Sequence, residues 1–251
     1  MNSKTTPLHS RAALAVVAMV LLVAACGSYE PGTVGQGADT NGAATSTSTT
    51  TTSASAVGAS SFTAEVWADN WFALYVDGEL VGEDSVPITT ERSFNSETIT
   101  FEATYPFTIG IEAKDFKETD SGLEYIGTDR QQMGDGGMIA QITDNATGQV
   151  VAVTDGSWTV LVVQRAPLNT ECEKAADPDT ACQHETIEIP ADWGAPGFDD
   201  SGWVAATEWS AADVGPKDGY DEISWDPAAK LVWGSDLKID NTILLRATVD
   251  A

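Results

Sequence analysis

The side chains of this sequence best suited to chemistry are oxygen ligands and aromatic rings rather than nucleophiles. Lys217-Asp-Gly-Tyr-Asp-Glu222, running on to Trp225-Asp226, combines an aromatic pair, acids and a lysine in a loop-like stretch. That mixture suits a sugar, whose apolar face stacks on a ring while polar side chains take its hydroxyls. Trp71, Trp193 and Trp209 are further rings in loop contexts, so the ligand-binding candidates are these three with Lys217, Tyr220 and Trp225. The competing assignment for each ring is packing in the core or a loop. A second set is Asp69-Asn70 and Asp199-Asp200. Such side chains cap turns by accepting from backbone N–H groups. They are also hard oxygen donors, which suits calcium. Turn capping and a calcium site at Asp69, Asn70, Asp199 and Asp200 both stand as readings.

No catalytic constellation accompanies them. His9 and His184 are the only histidines. No nucleophile elbow, Walker loop or His-Glu-x-x-His occurs. Gly134-Asp-Gly-Gly137 reads as a tight turn before a strand rather than a phosphate cradle. Carboxylate pairs of the glycosidase kind arise by chance in a chain this acidic. We therefore expect no catalytic residue, no enzyme activity and no cofactor beyond a structural calcium.

The chain carries 38 acidic and 12 basic residues, a formal charge of −26. Nucleic acid is excluded as a partner, because phosphate neutralisation needs clustered Lys and Arg. Direct docking of the domain surface on anionic headgroups is disfavoured for the same reason.

The N-terminus sets the compartment. Lys4 and Arg11 precede the apolar run Ala12–Ala25, which ends in Val23-Ala24-Ala25-Cys26. Basic, apolar, then small residues make a secretory signal. The run is about 14 residues, short of the roughly 20 a spanning helix needs. A cysteine directly after the small residues resembles the bacterial lipobox. That resemblance implies cleavage after residue 25, acylation (palmitate) at Cys26 and anchorage of the mature protein to the cell membrane, facing out of the cytoplasm. Residues 26–61 are rich in Gly, Ser, Thr and Ala and bury too little apolar surface to order themselves. They are expected to form a flexible tether of about 30–35 Å r.m.s. span. Residues 62–251 then form one domain. In an exported chain the remaining pair, Cys172 and Cys182, reads as a disulfide around the turn-forming Asp177-Pro178-Asp179. A zinc site there would have only His184 to add and lacks a fourth ligand.

The elements that must position these residues read as strands. Phe72–Val76 and Glu79–Gly82 flank Asp77-Gly78, the signature of a tight hairpin. Glu97–Phe101 alternates, as does Tyr105–Ala113 with Phe107, Ile109 and Ile111 on one face. Met138–Thr143 and Gln149–Thr154 form a second hairpin. Trp158–Val163, Lys230–Trp233 and Thr242–Val249 complete the set. The less regular stretch 168–226 is expected as long loops, with one helical turn near Phe198–Ser201. Many short strands with few helical periods argue an all-β antiparallel sandwich.

Three stretches carry a family resemblance. Trp67-Ala-Asp-Asn-Trp-Phe-Ala-Leu-Tyr-Val-Asp-Gly78, Thr154-Asp-Gly-Ser-Trp158 and Pro196-Gly-Phe-Asp-Asp-Ser-Gly-Trp203 are similar, in the same order, to motifs of galactose-binding-like jelly rolls. Those domains accompany bacterial glycoside hydrolases such as rhamnosidases and β-galactosidases. Asp240–Val249 fits their last strand. The resemblance implies an eight-stranded jelly roll of a kind that often binds sugars and sometimes holds calcium; fold alone does not settle function. The expected function is a membrane-tethered, non-catalytic module that binds a ligand, with glycan the leading class. The alternative is a structural or protein-binding lipoprotein of the envelope.

Overall fold

The computed structural model describes residues 58–88 and 95–251. The signal segment, Cys26 and the tether up to residue 57 lie outside the described residues. The strands are β1 (Ser60–Asp69), β2 (Trp71–Val76), β3 (Glu79–Glu83), β4 (Ser96–Ala103), β5 (Phe107–Lys114), β6 (Leu123–Glu124), β7 (Gln132–Met133) and β8 (Gly137–Asp144). They continue as β9 (Gln149–Val153), β10 (Thr159–Arg165), β11 (Glu185–Thr186), β12 (Val204–Ala205), β13 (Thr207–Trp209), β14 (Leu231–Trp233) and β15 (Asp240–Val249). One sheet runs β13-β14-β8-β1-β4, with β9 also on β8. The other runs β11-β10-β15-β5-β2-β3, with β12 also on β10. β6 and β7 form a separate ribbon. Every pairing is antiparallel. The fold is an all-β sandwich, as expected.

The alternation in the strands builds its core. Phe62, Val66 and Ile142 of the first sheet meet Phe72, Leu74, Ile109, Ile111, Ile243 and Leu245 of the second. Phe62 packs 4.8 Å from Phe107 and edge-on to Tyr105 at 5.3 Å. The Asp77-Gly78 turn joins β2 and β3 with φ of 49° and 87°, the doubly positive geometry of a type I′ hairpin. Asp144 closes the second hairpin by accepting the Ala146 and Thr147 N–H groups at 2.8 and 3.1 Å.

The structure departs from the sequence reading at three places. β1 is not among the strands expected from the sequence, although Phe62, Ala64, Val66 and Ala68 alternate and are all buried. It is the strand between β8 and β4. The helical turn expected near Phe198–Ser201 is absent. Asp199 accepts the Ser201 N–H at 3.1 Å, and Trp203 N–H reaches Asp200 O at 2.8 Å, so side chain and backbone make turns there. The short helices lie elsewhere: 3₁₀ turns at Thr170–Lys174 and Tyr220–Glu222, α1 at Pro178–Ala181 and α2 at Ala211–Val214.

The Cys172–Cys182 disulfide is present. Both sulfurs are buried with Leu123, and Ile126 and Met133 pack against them. The bridge therefore staples the β6–β7 ribbon as well as its own loop. Gln131 Nε2 reinforces that contact, donating to Glu173 O and Ala175 O at 2.7 and 3.0 Å.

The outer face of the second sheet is covered in part, so β5 is buried on both sides along most of its length. Trp193 lies against Gly110, where a Cβ would stand 2.8 Å from its ring. Tyr75, Trp203 and Phe198 extend that aromatic layer. Arg246, 6% exposed, clamps it by donating to Trp193 O, Ala195 O and Asp200 Oδ2 at 2.8, 2.7 and 2.9 Å.

Asp84 offers a stability test. It is 4% exposed; Oδ1 accepts the Val86 N–H at 2.8 Å, and the Asn95 side chain lies beside the carboxylate. Burial pushes its carboxyl up to about 6, against the pull of the Val86 bond. A value raised on folding stabilises fully below about pH 4 and loses that contribution as pH climbs through the folded value. Asp84→Asn is expected to be neutral near pH 4 and to stabilise by about 1–3 kcal/mol at pH 8. Urea denaturation of both proteins at the two pH values checks this, and parallel pH dependences refute it.

Candidate metal centre

Strand ends bring one cluster of acids together at an edge of the sandwich. Asp69 is the last residue of β1, and its peptide bond to Asn70 is cis. Asn70 begins the passage to the second sheet, with its N–H on Lys114 O at 2.8 Å and its Oδ1 accepting the Phe116 N–H at 2.6 Å. Those bonds tie the end of β1 to the end of β5. Asp115 follows β5 and is held by its own N–H to Asn241 O at 2.9 Å. Asp135 comes from the Gly134-Asp-Gly-Gly137 turn between β7 and β8. Carboxylate oxygens of Asp69, Asp115 and Asp135 lie within 4.8 Å of one another.

The glycines of that turn are steric necessities. A Cβ at Gly134 would coincide with the Asp115 carboxylate. At Gly136 it would stand 2.5 Å from the Trp233 indole, and at Gly137 2.5 Å from Val214 Cγ1. The reading of this stretch as a turn before a strand holds, and the turn also delivers a ligand-type carboxylate.

The electrostatics are lopsided. Asp69 and Asp115 are 0% and 2% exposed, and among the described residues their carboxylate oxygens make no close hydrogen bond; Lys217 approaches Asp69 and the Asn241 side chain approaches Asp115. The buried Asn241 side chain makes no other close hydrogen bond among the described residues. Buried polar groups are ordinarily satisfied, and buried like charges are expensive. Burial raises the Asp69 carboxyl well above its usual range and Asp135 adds to the rise, while Lys217 opposes it. Burial, then Asp69, Glu124 and Asp135, raise Asp115 in the same direction.

Lys217 is the one lysine or arginine among the described residues in ion-pair contact with this cluster, through Asp69 and Asp135. Its Nζ stands 3.2 Å from Asp135 Oδ2 and 3.6 Å from Asp69 Oδ2. Burial draws this ammonium down, but Asp69 and Asp135 outweigh it and hold the group above its ordinary value. α2 sets up its approach. Ser210 and Asp213 cap each other's backbone N–H groups, and Gly215 ends the turn at φ 63°. On the far side, Trp67 Nε1 holds Asp218 O at 3.1 Å.

The donor set fits a hard divalent cation. It is all oxygen, it is anionic, and two members are buried; calcium takes such ligands flexibly. Asp69, Asp115 and Asp135 would hold the ion, with Asn241 and Glu124 beside them.

Asp115 also lines a cleft of about 690 Å³ on the outer face of the second sheet. Phe116, Val163 and Ile189 supply apolar wall, with Glu112, Lys114 and Gln164 among the polar groups. Gln164 is 3% exposed, and its Oε1 has no hydrogen-bond partner among the described residues. Lys114 pairs with Glu112 at 2.9 Å and lies 4.5 Å over the Trp71 ring. The volume is in the range of small-molecule sites.

The sequence candidates divide. Asp69, Asn70 and Lys217 converge at the acid cluster. Asp199 and Asp200 are not members of it; they cap Ser201 N–H and hold Arg246, respectively. Trp193, 8% exposed, is a packing residue beneath the arginine clamp. Trp209 donates to Gly234 O at 3.2 Å. Tyr220 lies edge-on to Trp67 at 5.7 Å, and the Trp225 ring is tilted 5.9 Å from Tyr220 while donating to its carbonyl at 3.0 Å. These two rings are half-buried against the outer side of the first sheet. The sequence reading missed Asp115, Asp135, Asn241 and the cleft, since nothing in their local spacing links them.

Comparison with protein-family models, curated protein sequences and solved structures found no match.

Proposed function

We propose that this is a non-catalytic ligand-binding module of the galactose-binding-like jelly-roll type, held outside the cytoplasm by lipid on Cys26, with a divalent cation at Asp69, Asp115 and Asp135 and carbohydrate as its ligand. The observation that carries the reading is the convergence of two buried carboxylates, neither in a close hydrogen bond among the described residues, with a third, one of them shared with the cleft. A bound calcium would supply exchangeable coordination positions for hydroxyl or carboxylate oxygens. The cleft adds apolar wall and charged groups on its rim, and the Gly/Ser/Thr-rich stretch after Cys26 supplies reach.

A glycan array probed with the protein in calcium and in chelator tests this. The expected result is saturable binding to a subset of glycans that falls at least tenfold in chelator. Absence of glycan binding in both conditions removes carbohydrate from the proposal, and equal binding in both removes the cation from ligand recognition.

A further inference from the structure

Resting on the cation reading just given, we propose that Lys217 is a built-in competitor for the metal: its ammonium neutralises the acid cluster when no ion is bound and swings out when one arrives, so this residue sets the affinity. An ammonium 3.2 Å from Asp135 and 3.6 Å from Asp69 stands where a divalent ion must bring its charge. Two such cations cannot share three carboxylates at these distances without strong repulsion.

The surroundings allow exchange by side-chain motion alone. The Lys217 side chain is 40% exposed, so an outward rotamer reaches water directly. Its backbone is pinned on both sides. Val214 packs against Gly137, Trp67 Nε1 holds Asp218 O, and the Tyr220 N–H reaches Lys217 O at 3.2 Å. Gly219, at φ 87°, has the Asn95 and Ser96 backbone 2.6–2.8 Å from where a Cβ would lie, which fixes that end of the loop. A rigid loop carrying a mobile cation makes a competitor whose strength depends on its charge and not on loop folding.

Lys217→Met preserves the length of the apolar stem and removes the charge. Calcium titration by calorimetry, with thermal melts in chelator and in calcium, reads both sides of the exchange. The expected result is calcium affinity raised about tenfold or more over the parent, a lower melting temperature than the parent in chelator, and a melting temperature equal to or above it in calcium. Lys217→Arg, which keeps the charge, is expected to stay near the parent in affinity. If the parent binds calcium but Lys217→Met binds it no more tightly, the competitor role is overturned and the metal centre stands. If neither protein binds calcium, magnesium or manganese, and no melt responds to them, the metal centre and the competitor role fall together.

Discussion

Saturating calcium will raise the melting temperature of the parent protein, and Asp115→Asn will abolish that rise. An ion at about a hundredfold over its dissociation constant stabilises by about 2.7 kcal/mol. A domain of this size gains about 2–4 °C per kcal/mol, so a shift of about 5–10 °C is expected. Asp115 is chosen because it is 2% exposed and its carboxylate lies within 4.8 Å of both other acids. An amide keeps its shape and one oxygen while removing the charge. Without metal the sign reverses. Folding raises the Asp69 and Asp115 carboxyls above their ordinary values, chiefly through burial. Their contribution is thus complete in acid, below the usual carboxylate range, and is lost as pH rises through the folded values. In chelator the parent should be more stable near pH 5 than near pH 8, and Asp115→Asn should flatten that slope. Calcium, which binds the ionised acids, should reverse the slope in the parent alone. Melts in chelator and calcium across this range measure all of it. A parent indifferent to divalent ions with a flat pH profile defeats the prediction.

Arg246→Met should be the most destabilising of the substitutions named, at about 3–5 kcal/mol, the range for breaking a buried charged network by removing one partner. The guanidinium holds two backbone carbonyls of the 193–195 stretch and the Asp200 carboxylate, with the Phe198 ring 5.6 Å away. Methionine fills much of the volume, but it leaves both carbonyls without that donor and leaves Asp200 with Thr159 Oγ1 at 2.9 Å as its remaining side-chain partner. The melting temperature should fall by about 10 °C. Loss of near-ultraviolet circular dichroism from Trp193 and Trp203 should accompany it, along with faster proteolysis within residues 192–203. Asp200→Asn removes only one charge-assisted bond and should cost about 1–2 kcal/mol. A loss below 1 kcal/mol for Arg246→Met would mean that the aromatic layer holds itself in place.

These expectations divide according to what was readable without coordinates. The hairpin at Asp77-Gly78 was legible because a type I′ turn demands two residues that tolerate positive φ, and those two occupy the required places. The core faces of β5 and β15 follow from alternation, since a strand turns successive side chains to opposite sides. Cys172 and Cys182 were legible as a pair because the signal-like N-terminus suggested an oxidising compartment and set Cys26 apart from them. Phe62, Ala64, Val66 and Ala68 carry the same alternation, so β1 was readable too; the neighbouring Ser- and Thr-rich stretch obscured it.

What the tertiary structure alone decided is which acids act together. Asp69, Asp115, Asp135 and Lys217 come from the ends of two strands in different sheets and from two separate loops, far apart along the chain. Their meeting depends on the β1–β8 register, on the Asn70 bonds across to Lys114 and Phe116, and on glycines thin enough for a carboxylate to pass. The same holds for the aromatic residues. Trp193 and Trp225 look alike as loop tryptophans, yet the first is buried under an arginine and the second is half-buried on Tyr220. Local periodicity determines which face of a strand is apolar, because that depends on backbone geometry repeated every two residues. Burial and charge convergence depend on which distant segments pack together, and short-range spacing does not encode that.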